Sequence, residues 1–186
     1  AFDTTVLSSC EGTIDGKRYL FVAQGGITDK LSVYAISPPA SGSVTVSGEL
    51  DLGGFDPSAL AGRPFTLELR KGGVTVQSVQ QVLGANLRYS FQTSVQGTVD
   101  VVIHGTPWLR RVVSGLSLST SGLSVPTQSL INGDIDGDNA VTVFDYGILS
   151  DGFDTPGPDA DLDGDGVVSV FDYGILSDNF DRVGDE

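Results

Sequence analysis

Between residues 41 and 126 apolar side chains alternate with polar ones in short runs. Val44, Val46 and Leu50 form the first run, Phe65, Leu67 and Leu69 the second, Val74 and Val76 the third, with Val79 to Leu83 after it. Leu87, Tyr89 and Phe91 follow, then Val99, Val101 and Ile103. Trp108 leads into Leu109 to Val113, and Leu116, Leu118 and Leu123 close the series. A period of two marks strands with one buried face. Roughly seven such runs, separated by turn residues, predict an antiparallel seven-stranded β-sandwich over residues 41–131. Gly72-Gly73, between Leu69 and Val74, reads as a tight hairpin turn. The segments RYLFVAQGG and KLSVYAISPP predict two further strands, a hairpin within residues 1–40, with Pro38-Pro39-Ala40-Ser41-Gly42 as the hinge after it. A lone hairpin is marginal in water. Phe21, Val22, Leu31, Val33 and Tyr34 therefore need a surface to cover, on their own sandwich or on a neighbouring molecule.

After residue 131 the period changes. Residues 134–145 read DIDGDNAVTVFD and residues 161–172 read DLDGDGVVSVFD, and FDYGILSD recurs at 144–151 and 171–178. In each twelve-residue segment acids stand at positions 1, 3, 5 and 12: Asp134, Asp136, Asp138 and Asp145, then Asp161, Asp163, Asp165 and Asp172. A hard cation such as Ca²⁺ takes six to eight oxygens, and a short loop with carboxylates at alternate positions supplies them. Position 6 needs a turn through positive φ, which Gly166 meets directly and Asn139 tolerates. Beyond each loop Phe144, Ile148 and Leu149, and Phe171, Ile175 and Leu176, fall on one helical stripe. Thr142 and Ser169 stand where N-caps belong. Gly147 and Gly174 recur at the same helical place and suggest close packing of one helix on the other. An antiparallel pair of such segments should set Phe144 with Tyr146, and Phe171 with Tyr173, in equivalent surroundings, so that any partner surface on one helix has a counterpart on the other.

This duplicated pattern, over about residues 132–184, resembles the type I dockerins of bacterial extracellular complexes. The resemblance implies a domain at 132–186 made of two Ca²⁺ loop–helix segments related by a pseudo-twofold, with two ions per chain. The first ion would be held by Asp134, Asp136, Asp138, the carbonyl of Ala140, Thr142 through water, and Asp145. The second would use Asp161, Asp163, Asp165, the carbonyl of Val167, Ser169 through water, and Asp172. Many members of that family carry small hydroxyl or basic residues at loop positions 10 and 11, where this chain has Val143-Phe144 and Val170-Phe171. The stretches SGSVTVSGELDL, RPFTLELRKGG, NLRYSFQ and GTVDVVIHGTPWLRRVV resemble the carboxypeptidase regulatory-like, or transthyretin-like, sandwiches of bacterial surface proteins, which implies a non-catalytic scaffold. The fold class is thus mainly β with a small α module.

Charge separates these regions. Fifteen of the 24 acids but one of the 10 bases, Arg182, lie in residues 132–186, so that segment carries the whole net charge of −14 and residues 1–131 are neutral. Without a cation the loop carboxylates repel one another, so folding there should be coupled to metal binding. Such acidity disfavours nucleic acid and anionic membrane, and no apolar run of about 18 residues is present to insert in a bilayer. The start at Ala1 and the lack of methionine read as a mature secreted form with its signal removed, at the cell surface or beyond. Cys10 is single, a buried small apolar residue or an intermolecular bridge.

His104 reads as a rim residue, and no nucleophile–base pair, zinc spacing or phosphate loop accompanies it, so an enzyme is not expected. Three functions remain. The first is a calcium-binding structural protein that self-assembles into a fibre or surface layer through residues 1–37. The second is an adaptor that binds a cohesin-like receptor. The third is a carbohydrate-binding module using Trp108 with Arg110 and Arg111, although Trp108 reads better as core.

Overall fold

The computed structural model describes residues 42–60 and 62–186 in full and, before them, the backbone of three strands. Contacts divide the chain into Ala1–Ser43 and Val44–Glu186. In the first unit β1 (Val6–Ile14), β2 (Lys17–Gln24) and β3 (Lys30–Ala35) form one antiparallel sheet in that order. The predicted hairpin is β2–β3, paired with Phe21 opposite Val33. The strand not foreseen is β1, whose apolar residues cluster at its ends and show no alternation. A third strand relieves the marginality of a lone hairpin. The side chains of residues 1–41, Cys10 and the five apolar residues named above included, lie outside the described residues.

In the second unit β4 (Val44–Asp51) runs antiparallel to β7 (Arg88–Thr93), and two two-residue strands, β10 (Leu123–Ser124) and β11 (Gln128–Ser129), add to it in parallel. The facing sheet is antiparallel with the order β6 (Val74–Val82), β5 (Pro64–Lys71), β8 (Gly97–Gly105) and β9 (Trp108–Leu118). The described sandwich therefore has six long strands and two very short ones, where seven short strands were expected. Val74–Val82 is one strand whose phase is blurred because it is an exposed edge. Trp108–Leu118 is one strand as well, with a shift of register opposite Asp100 where Gly115 takes φ 72°. The Gly72-Gly73 turn is as expected, with φ 55° and 80° joining Lys71 to its partner Val74.

Alternation places Phe65, Leu67 and Leu69 of β5, Tyr89 and Phe91 of β7, and Val99, Val101 and Ile103 of β8 between the sheets. Trp108 lies among them, fully buried, with its ring 5.1 Å from Phe55 and 5.3 Å from Phe65. The next residue, Leu109, points to the other face of β9. There it joins a second core formed by Ile135, Val141, Leu149, Ala160, Leu162, Val168 and Leu176 of the acidic segment. The expected boundary between 131 and 132 thus falls inside one compact unit. Backbone bonds stitch across it: Leu109 N–H to Ile131 O at 2.8 Å, Gly133 and Asp134 N–H to Pro107 O at 2.9 Å, and Asp56 N–H to Asp163 O at 2.8 Å.

Candidate metal centre

Each acidic segment is closed by its last carboxylate. Asp145 is the third residue of helix α1 (Val143–Asp151), whose N-cap is Thr142. Its Oδ1 accepts the N–H groups of Ile135 at 2.7 Å and Asp136 at 3.1 Å, and its Oδ2 accepts that of Thr142 at 2.7 Å. One side chain thereby ties the start of the loop to its end. Asp172 in α2 (Val170–Asp178) repeats this with Leu162, Asp163 and Ser169 at 2.6, 3.2 and 2.7 Å. The charge also sits where the helix dipole favours it. Thr142 and Ser169 are N-caps as predicted, each accepting an N–H, from Phe144 and Phe171 respectively.

The other acids converge. Asp134, Asp136 and Asp138 bring carboxylate oxygens within 4.8 Å of one another, and so do Asp161, Asp163 and Asp165. The turns between them are set by Asp136 accepting the Asp138 N–H and Asp138 accepting that of Ala140, with Asp163 and Asp165 doing the same in the second loop. Position 6 has positive φ in both, 73° at Asn139 and 95° at Gly166, and its N–H reaches back to the first acid, Asp134 or Asp161. Asp134 is fully buried and its Oδ1 has no hydrogen-bond donor. Burial pushes its carboxyl up to about 6, partly opposed by the Asn139 N–H and reinforced by the charge of Asp145. Asp163 is raised for the same leading reason.

Buried carboxylate oxygen without a donor, in the company of like charges, is costly unless a cation neutralises it. Three converging carboxylates in each loop are hard oxygen donors and suit a hard cation. Asp145 and Asp172 do not join the three-acid groups. Their oxygens are engaged with backbone N–H groups and hold each loop shut.

The helices carry little of the core they frame. Leu149 and Leu176 are buried, whereas Phe144 is 70 % exposed and Phe171 69 %. The predicted stripe is therefore split: its Leu faces inward and its Phe outward. Tyr146 and Tyr173 meet edge to face at 5.9 Å between ring centroids. On either side of this pair runs a shallow groove, one lined by Val143, Leu176, Ser177 and Phe180, the other by Val170, Leu149, Ser150 and Phe153. Every lining residue of one has its counterpart 27 positions away in the other. The expected equivalence of the two FDYGILSD segments is what the burial shows.

No family model matches the sequence, and no curated protein matches it significantly. Solved structures do match. One is an N-terminal interface mutant of a type II cohesin–X–dockerin complex from Acetivibrio cellulolyticus, matched with a TM-score of 0.59 and 24% identity over 76% of this chain and 97% of that chain. Another is a C-terminal interface mutant of a type II cohesin–X–dockerin complex from the same organism, with the same TM-score, identity and coverage. The fold of this chain is therefore that of a component of such assemblies.

One sequence expectation changes, that for the helical glycines, while Trp108 lies in the core as its preferred reading had it. A Cβ placed on Gly147 or Gly174 would meet nothing within 4 Å, so close helix packing does not explain these glycines. Trp108 is fully buried and offers no face to a sugar. His104 is half-buried on β8, and burial followed by the charge of Arg110 lowers its basicity. Two features escaped the sequence reading: the tyrosine pair on the pseudo-axis, and the side-chain bonds of Asn139. A second aromatic two residues after Phe144 and Phe171 is the signal that could have given the first.

Proposed function

We propose that this chain is a non-catalytic extracellular adaptor whose acidic module takes two Ca²⁺ ions and presents its paired helices to a cohesin-like sandwich. The ions would be held by Asp134, Asp136 and Asp138 and by Asp161, Asp163 and Asp165, with the carbonyls of Ala140 and Val167. Thr142 and Ser169 would complete the shells through water, with Asp145 and Asp172 closing the loops. Calcium supplies the positive charge that lets these acids stay together. The observation that carries the reading is the doubled apolar face: Val143, Phe144 and Tyr146 on one helix and Val170, Phe171 and Tyr173 on the other, all exposed. A contiguous apolar patch of this kind marks a binding surface, and aromatic residues are the usual anchors of such surfaces. The fold shared with cohesin–X–dockerin complexes supports the kind of partner. The covered share, 76% of this chain, suits Val44–Glu186, sandwich and module together, which favours the dockerin-bearing side of such a pair.

The test is titration of the full chain with a purified type II cohesin module, with calcium and with chelator. Binding in calcium and none in chelator supports the reading. Replacing Phe144 and Phe171 together by Ser should weaken binding at least tenfold, because an anchor residue is worth about 2 kcal/mol or more. Either replacement alone should cost less, since the twofold mate can take its place. A full chain that polymerises in calcium and ignores the cohesin would restore self-assembly. That expectation rests on residues 1–37, whose side chains lie outside the described set. The sandwich offers it little support at one edge, where Gln77 and Gln81 occupy the backbone groups of Ser90 and Gln92 on β7.

A further inference from the structure

We infer that Asn139 is a positioning residue that transmits filling of the first acidic loop to the edge of the sandwich; this rests on the cation-binding reading above. The two loops differ here. At position 6 the second loop has Gly166, which shows that the turn itself asks for no side chain. Asn139 adds one and uses all of its polar groups. Its N–H donates to Asp134 Oδ2 at 3.1 Å inside the loop. Its Oδ1 accepts the N–H of Arg110, on the outer edge of β9, at 2.8 Å. Its Nδ2 donates to the carbonyl of Asp185 at 3.3 Å, and its carbonyl accepts the N–H of Gly184 at 2.9 Å.

The chain end in turn completes the β9 edge. Asp185 N–H donates to Arg110 O at 2.9 Å, and its carboxylate accepts Val112 N–H at 2.9 Å and Arg111 at 3.2 Å. Gly184 is held so tightly that a Cβ there would collide with Asn139 Oδ1 and stand 2.8 Å from Arg110 N. Asp134, Asn139, the residues at 184–185 and Arg110–Val112 therefore form one hydrogen-bonded chain from the first loop to an otherwise open strand edge. A cation that fixes Asp134 fixes Asn139, and with it the cap on β9. A ligand that binds only the ordered state stabilises everything cooperative with that state.

Trp108, the single tryptophan, lies at the start of β9 and reports the sandwich. Thermal unfolding of the full chain is followed by its fluorescence in excess Ca²⁺ and in chelator. In the parent protein calcium at a hundredfold excess over its Kd should raise the midpoint by about 5–10 °C for each ion bound. Asn139→Gly keeps the turn and every proposed ligand, and should lose at least half of that rise. Exchange of the Arg110 amide in calcium should quicken at least tenfold in this variant. Asn139→Asp retains the Oδ1 acceptor for Arg110 but sets an oxygen against the Asp185 carbonyl, and should restore part of both. If Asn139→Gly lowers the midpoint equally with and without calcium, leaving the rise intact, the residue is merely structural and the inference is wrong. Calorimetry that finds two ions in a variant with an unchanged rise overturns the coupling alone. Calorimetry that finds no calcium in the parent chain overturns the cation reading with it.

Discussion

Among the described residues, nineteen buried side chains, all apolar apart from the Tyr89 hydroxyl and the Trp108 indole N–H, fill the sandwich, whereas eight fill the acidic module. Adjacent residues of one strand, Trp108 and Leu109, belong to the two cores. The sandwich has nonpolar area enough to hold itself by burial, at roughly 25 cal/mol for each Å² removed from water. The module does not, and substitutes a different device: Asp145 and Asp172, both fully buried, each gathering three backbone N–H groups. Burial of anions stabilises only while their charge is answered. The difference teaches that one compact unit can contain a part held by apolar burial and a part held by buried acids that gather backbone N–H groups. It also explains why the helices leave their aromatic residues outside: the loops, not the helices, organise the module.

The sharpest way to break this contrast is to remove a loop-closing acid. Asp145→Ala leaves the N–H groups of Ile135, Asp136 and Thr142 without an acceptor. At about 1–3 kcal/mol for each buried orphan, the variant should lose on the order of 4 kcal/mol or more and bind one Ca²⁺ rather than two. Asp172→Ala should do the same to the other loop. Calorimetry showing two ions retained in either variant would mean that the carboxylate does not hold the loop. Next in size, Leu67→Ala in the sandwich and Leu149→Ala in the module should each cost about 2–5 kcal/mol. The first loss should be equal with and without calcium in urea titrations, while the second should also weaken calcium binding. Equal behaviour of the two would erase the distinction between the cores.

What could be read from the sequence follows the same division. The convergence of Asp134, Asp136 and Asp138, and of Asp161, Asp163 and Asp165, was legible because acids at alternate positions of a short loop recur in two copies of one pattern. The strands of the sandwich interior were legible through alternation at Phe65, Leu67 and Leu69 or Tyr89 and Phe91, where one face is buried. Alternation failed where burial does not impose it: in Val74–Val82, an exposed edge, and across Gly115, where a bulge resets the phase. The split of the helical stripe was illegible for another reason. Phe144 and Leu149 are equally apolar, and which of them faces the core depends on how the second repeat packs on the first. Nor could Asn139 be singled out, since its tolerance of positive φ was explanation enough until Arg110 was found beside it.

A smaller effect tests the caps. Thr142→Ala removes the acceptor of the Phe144 N–H while leaving Asp145 in place, and should cost about 1 kcal/mol. Ser169→Ala should match it within a few tenths if the repeats are as equivalent as their burial. A large difference in circular-dichroism melting between the two variants would show that the pseudo-twofold is one of shape and not of energy.

The smallest effect tests whether the sandwich is held by apolar contact alone. Tyr89 faces the core of β7 opposite Gly48, its hydroxyl is buried without a partner, and burial pushes its ionisation up to about 12. A Cβ at Gly48 would collide with that hydroxyl, so the ring occupies space that only glycine leaves. An orphan hydroxyl contributes nothing that its burial does not cost. Tyr89→Phe, which keeps the ring, should therefore be neutral or stabilising by up to about 1 kcal/mol at pH 8. The pH dependence has a fixed sign. The folded state holds the phenolic proton more tightly than the unfolded state, whose tyrosine ionises near 10. Stability from this group is therefore intact below pH 10 and falls as the pH rises from there towards 12. Urea midpoints measured at pH 8 and pH 11 should decline less in Tyr89→Phe than in the parent chain. A variant clearly less stable than the parent at pH 8 would show that the hydroxyl has a partner, and that the sandwich too depends on a buried polar contact.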